Sequence, residues 1–142
     1  MRISDFKIDE ATVERGEWID NIPNFGNVRL RVRGAGNGDY RVLLTRLIAA
    51  VPSNKKIGGQ LHPKENDAIM SEVLRETCLL EWEGITDDND VPIPYSKEAA
   101  LELFKERRFR EGVGWAANVV AEGVAGKANG AAKNSESGSS GT

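Results

Sequence analysis

Gly34, Gly36 and Gly38 stand at two-residue spacing between an alternating apolar run and a helical one, where a dinucleotide-binding loop would wrap a pyrophosphate. The third glycine comes one residue too early for that fingerprint, and no second strand follows at βαβ spacing, so the run reads as a flexible connector. Asp87-Asp88-Asn89-Asp90 has the oxygen density of a calcium loop, yet the central glycine is missing and Pro92 and Pro94 fall where ligands are needed. A solvated acidic turn is the simpler reading. His62 is the only histidine and lies in a polar stretch beside Pro63, while Cys78, the only cysteine, lies in the apolar run Thr77-Cys78-Leu79-Leu80. Neither a zinc site nor a Cys-His nucleophile assembles from them, and the thiol is expected to be buried and inert. No catalytic, metal or cofactor-binding residues are expected; the chain reads as a non-enzymatic protein that works by binding other proteins.

The formal charge of −3 provides no long-range field toward nucleic acid. A local exception is the arginine face Arg29, Arg31 and Arg33, but no interleaved aromatics accompany it to stack on bases, so no nucleic-acid partner is expected. Between Arg75 and Lys97 stand Glu76, Glu81, Glu83, Asp87, Asp88 and Asp90 without a single Lys or Arg. A basic strand and an acidic turn on one small domain predict a head-to-tail contact between copies, in which Arg29, Arg31 and Arg33 meet Asp87, Asp88 and Asp90. Apolar runs such as Leu47 to Val51 fall far short of the roughly 20 residues a bilayer requires, and no secretory pattern opens the chain, so no membrane partner and a cytoplasmic location are expected.

Positioning elements follow from periodicity. Val28, Leu30 and Val32 alternate with Arg29, Arg31 and Arg33, the two-residue period of a strand with one apolar face. Glu17 to Asp20 supplies its hairpin partner, with Asn24-Phe25-Gly26-Asn27 as the turn. The first 15 residues read as an arm or edge strand. Tyr40, Leu43, Leu44, Leu47, Ile48 and Val51 lie at helical spacing, with Asn37 or Asp39 as cap and Pro52 beyond the end. A polar loop from Ser53 to His62 leads to Pro63, suited to the first turn of a second helix whose stripe is Ile69, Met70, Val73, Leu74, Thr77 and Leu80. Glu81 to Tyr95 is predicted as an ordered loop, broken by two prolines. Ser96 caps a third helix through about Lys105; Phe109 to Val120 forms a fourth, weakened by Gly112 and Gly114. The fold class is therefore α+β: an N-terminal β hairpin or small sheet and a bundle of three to four helices over residues 1–122. Residues 123–142, rich in Gly, Ala and Ser, are expected to be a disordered tail.

The segment Leu79-Leu80-Glu81-Trp82-Glu83-Gly84-Ile85-Thr86-Asp87, followed by Val91-Pro92-Ile93-Pro94-Tyr95-Ser96 and an Ala-rich helix, resembles the tail assembly chaperones of long-tailed, siphovirus-like bacteriophages. Gly16-Glu17-Trp18, the Val-Arg-Leu-Arg-Val strand and Tyr40-Arg41 are compatible with it, over roughly residues 1–120. A glycine expected near Asp90 or Val91 is absent. The resemblance implies a non-enzymatic helper that binds the tape measure protein, keeps it soluble, recruits tail tube (major tail) protein subunits in the host bacterial cytoplasm, and is absent from the mature virion. The rival is a structural subunit of the virion tail or head-tail connector. The resemblance also implies a translational frameshift near the end of the gene; Ala125-Gly126-Lys127 and Ala132-Lys133-Asn134 can be encoded by the slippery heptamers GGGAAAG and AAAAAAC. Apolar and aromatic residues on a loop often anchor interfaces, so Trp82, Ile85, Pro92, Ile93, Pro94 and Tyr95 are the candidate partner-binding residues, with a lid over the core as their other role.

Overall fold

A computed structural model describes residues 1–123; of the predicted tail, 123–142, only Gly123 is described, as the cap that ends the last helix, and the rest, with both frameshift candidates, lies outside the described residues. A short 3-10 turn (Ile3–Phe6) precedes helix α1 (Glu10–Arg15), so the first 15 residues form an arm and a helix, and no edge strand. Asp9 starts α1 by accepting the Thr12 amide at 3.1 Å. Strands β1 (Glu17–Ile19) and β2 (Arg29–Val32) make the expected hairpin, with Ile19 opposite Leu30 and Trp18 opposite Arg31.

Helix α2 (Gly38–Ala49) follows, then a small hairpin of β3 (Lys56–Ile57) and β4 (Gln60–Leu61) inside the stretch read as a polar loop. Helix α3 (Pro63–Thr77) begins with Pro63 at its first turn, with exposed His62 before it. Strand β5 (Leu79–Glu83) corrects the prediction that the helical stripe ran through Leu80 and that Glu81 opened a loop. It pairs antiparallel with β2, giving the sheet order β1-β2-β5. The register slips between Arg31 and Val32, whose partners are Glu81 and Leu79, so Leu80 is an extra bulge residue. The bulge lets Leu79 and Trp82 both face the core although they are three positions apart, a spacing that mimics a helix.

Helices α4 (Lys97–Leu103) and α5 (Arg107–Glu122) complete the chain. Ser96 caps α4 as predicted, accepting the Ala99 amide at 3.0 Å, and Arg110 closes its other end by donating to the carbonyls of Phe104 and Lys105. Helix α5 lays Phe109, Val113, Ala116, Ala117 and Val120 against the inner sheet face of Ile19, Leu30, Val32, Leu79 and Trp82. A second, smaller core of Leu43, Ile69 and Val73 joins α2 to α3. The fold is α+β: a three-stranded antiparallel sheet with its helices packed around one face.

Candidate functional site

The glycine connector is built for tight backbone packing. A side chain on Gly34 would meet Val13 Cγ1 at 2.8 Å and the Ala121 backbone at 3.2 Å, and Gly36 has φ +83°. Asn37, completely buried, caps α2 by accepting the Tyr40 amide at 2.9 Å. The Gly38 amide at the start of α2 donates to the Glu14 carboxylate at 2.8 Å, so the chain's own anion fills the place where a phosphate would sit.

The arginine face is also satisfied within the chain. Arg29 pairs with Glu83 at 2.9 Å and lies over the Trp18 ring, and Arg31 faces Glu81 at 3.8 Å. Arg33 contacts both Glu14 (2.9 Å) and Asp39 (2.8 Å). Burial disfavours the Arg33 charge, but the hydrogen bonds and charges of Asp39 and Glu14 outweigh it and hold its pKa above the ordinary value. Asp39 is thus an ion-pair partner, and Asn37 alone is the cap. Asp87, Asp88 and Asp90 lie on a separate exposed turn, so the structure does not bring the two halves of the expected head-to-tail contact together within one chain. Cys78 is fully buried, and desolvation pushes its thiol up to about 11, leaving it protonated and unreactive at neutral pH.

The acidic turn closes a tight hairpin. Asp87 Oδ1 accepts the amides of Asn89 at 2.8 Å and Val91 at 3.0 Å, and the Ile93 amide donates to the Ile85 carbonyl at 2.8 Å. Asp90 has φ +63°, so an aspartate occupies the left-handed position where a glycine is expected. Among the described residues no group of three or more His, Cys, Asp or Glu is placed to hold a metal ion.

The six candidate partner-binding residues divide. Trp82 is 4% exposed, donates its indole N–H to the Ile93 carbonyl at 2.7 Å, and meets Tyr95 and Phe109 edge-on at 5.0 and 6.0 Å. Ile93 and Tyr95 are half-buried against the same core, so these three form a lid. Burial, and then the Glu76 charge, raise the Tyr95 phenol above its ordinary pKa. Pro92 and Pro94 stay exposed on the hairpin. Ile85 belongs to an open apolar groove of about 390 Å³ with Phe25, Val28, Leu103 and Phe109, rimmed by Asn24, Glu106 and Arg108. A neighbouring hollow along α5 adds Pro23 and Trp115, which is 40% exposed.

Phe25 reads from the sequence only as a turn residue, Val28 only as part of the strand face and Leu103 only as a packing residue, while Trp115 goes unnoticed, although it falls off the inward stripe of α5 and so faces outward by spacing alone. Gly112, which the sequence presents as a helix weakness, is the seat of Phe25: a methyl there would lie 2.1 Å from Phe25 Cζ. Phe25 in turn stacks on Phe109 with ring centres 5.9 Å apart. Gly112→Ala is therefore expected to lower stability by about 1–2 kcal/mol, overpacking outweighing the helix-propensity gain of alanine. At Gly114 a methyl would only touch Leu74 Cδ1 at 3.5 Å, and Gly114→Ala should add about 0.5–1 kcal/mol. Urea unfolding of the two variants compares them; equal effects would mean that Phe25 does not sit on the glycine.

The groove is an open apolar surface made by two turns and the ends of two helices. The family model of the YdaY prophage protein matches residues 35–134. The chain belongs to this family. It is phage-derived, and the matched stretch takes in α2, α3, β5, α4 and α5. No curated protein and no solved structure matches the chain. Membership of the YdaY family establishes phage origin.

Proposed function

We propose that the protein is a non-enzymatic tail assembly chaperone that holds an apolar helical stripe of the tape measure protein in the groove and recruits tail tube subunits during tail morphogenesis. The groove carries the proposal: Phe25, Val28, Ile85, Leu103 and Phe109 make an apolar floor between charged rims, a shape that accepts one face of an amphipathic helix. Prophage origin and the Trp-x-Gly to Pro-x-Pro-aromatic segment support the same role. A long unpaired amphipathic helix aggregates through its exposed stripe, and covering that stripe keeps it soluble.

The test is co-expression of the full chain with the tape measure protein of the same prophage, followed by recovery of soluble complex. Trp115→Ala is expected to weaken that complex about thirtyfold, the equivalent of a 2 kcal/mol hot spot, while far-ultraviolet melting stays near that of the parent; Leu103→Ala should weaken it too but also lowers melting, because Leu103 packs against the core. A tape measure protein that remains insoluble beside the parent chain, or the chain itself in purified virions, would reject the chaperone role in favour of a virion subunit.

A further inference from the structure

The N-terminal arm is an apolar segment without a seat. Met1, Ile3, Phe6 and Ile8 are 94%, 83%, 70% and 52% exposed, and the hydrogen bonds of residues 1–8 are internal to the arm among the described residues. Four uncovered apolar side chains in so short a stretch call for a partner surface. The groove has matching chemistry. Glu106 and Arg108 stand two residues apart on its rim, and neither is in an ion pair among the described residues. Asp5 and Lys7, two apart and likewise without an ion-pair partner there, flank Phe6 on the arm. Seating Phe6 on the floor would set Lys7 against Glu106 and Asp5 against Arg108.

In its own chain the arm does not cover the groove: its apolar side chains stay 52–94% exposed, and α1 is anchored through Val13 beside the Gly34 turn and Ala121, about 18 Å of helix from Phe109. The groove of a neighbouring molecule is equally open to it. We propose that the arm of one copy, through Ile3, Phe6 and Ile8, lies in the Phe25–Leu103–Phe109 groove of a second copy, so that the chain self-associates by arm exchange.

Sedimentation of the full-length chain at increasing concentration, without any client, tests this. The parent is expected to associate, and Phe6→Asp to weaken association at least about thirtyfold. Lys7→Glu and Glu106→Lys should each weaken it about tenfold, and an equal mixture of the two should regain it through arms and grooves of restored complementarity. All three positions are exposed, so melting should change little, the largest shift being a small loss for Glu106→Lys, which puts a cation at the start of α5. A parent that stays a single chain at every concentration, or variants that associate as the parent does, would overturn arm exchange. Because no tape measure protein is present, either result leaves the chaperone proposal standing on its own test.

Discussion

Trp82→Ala is expected to lower the free energy of unfolding by about 4 kcal/mol, the range found when a buried aromatic is truncated to alanine. Three losses combine. The indole is 4% exposed, so its removal opens a large cavity at the junction of β5, the hairpin and α5. Edge-on contacts with Tyr95 and Phe109 disappear. The Ile93 carbonyl also loses the N–H that satisfies it at 2.7 Å. Trp82→Phe keeps most of the ring volume and should cost about 1–2 kcal/mol, mainly through the lost hydrogen bond. Chemical unfolding followed by far-ultraviolet circular dichroism measures both, independent of Trp18 and Trp115 fluorescence. A loss under about 1 kcal/mol for Trp82→Ala would show that the indole is not part of the core and would return it to the interface candidates.

Asn37→Ala should cost about 3–4 kcal/mol, more than a helix cap alone contributes. The side chain accepts the Tyr40 amide and donates to the carbonyls of Gly34 at 2.9 Å and Thr77 at 3.0 Å, tying the β2–α2 turn to the end of α3. Alanine leaves these partners without that amide in a place closed to water. Asn37→Asp separates capping from joining. Aspartate is as good a cap, but it turns an oxygen toward two carbonyl oxygens and buries a charge beside the C-terminal end of α3. It is therefore expected to be at least as destabilising as alanine. If urea unfolding finds Asn37→Asp close to the parent, the two carbonyl bonds contribute little and Asn37 is only a cap.

The proposed binding surface divides along the same physical line. Loop aromatics point to an interface when only neighbours in sequence are known, yet Trp82, Ile93 and Tyr95 are drawn inward because the β5 strand and the 85–93 hairpin fold over α5. The groove is made by residues far apart in sequence, Phe25 from one turn, Ile85 from another and Leu103 from a helix end, and it has no local signature.

What the residue order determined by itself is local. The two-residue alternation around Arg29, Arg31 and Arg33 specifies β2 and its buried face; Pro63 and Ser96 specify where α3 and α4 begin, while Asn37 and Asp39 only bracket the start of α2; the periodic stripes specify which sides of the helices turn inward. Each is a short-range property of backbone sterics, capping and hydrophobic period. Tertiary structure decided the rest. Strand β5 needed β2 as a template, because the Leu80 bulge replaces the alternating pattern with a helix-like spacing. Gly112 acquired its purpose from Phe25, and the arginines acquired their partners from α1, α2 and β5. Such contacts form only after chain closure brings distant residues together, so periodicity carries no trace of them.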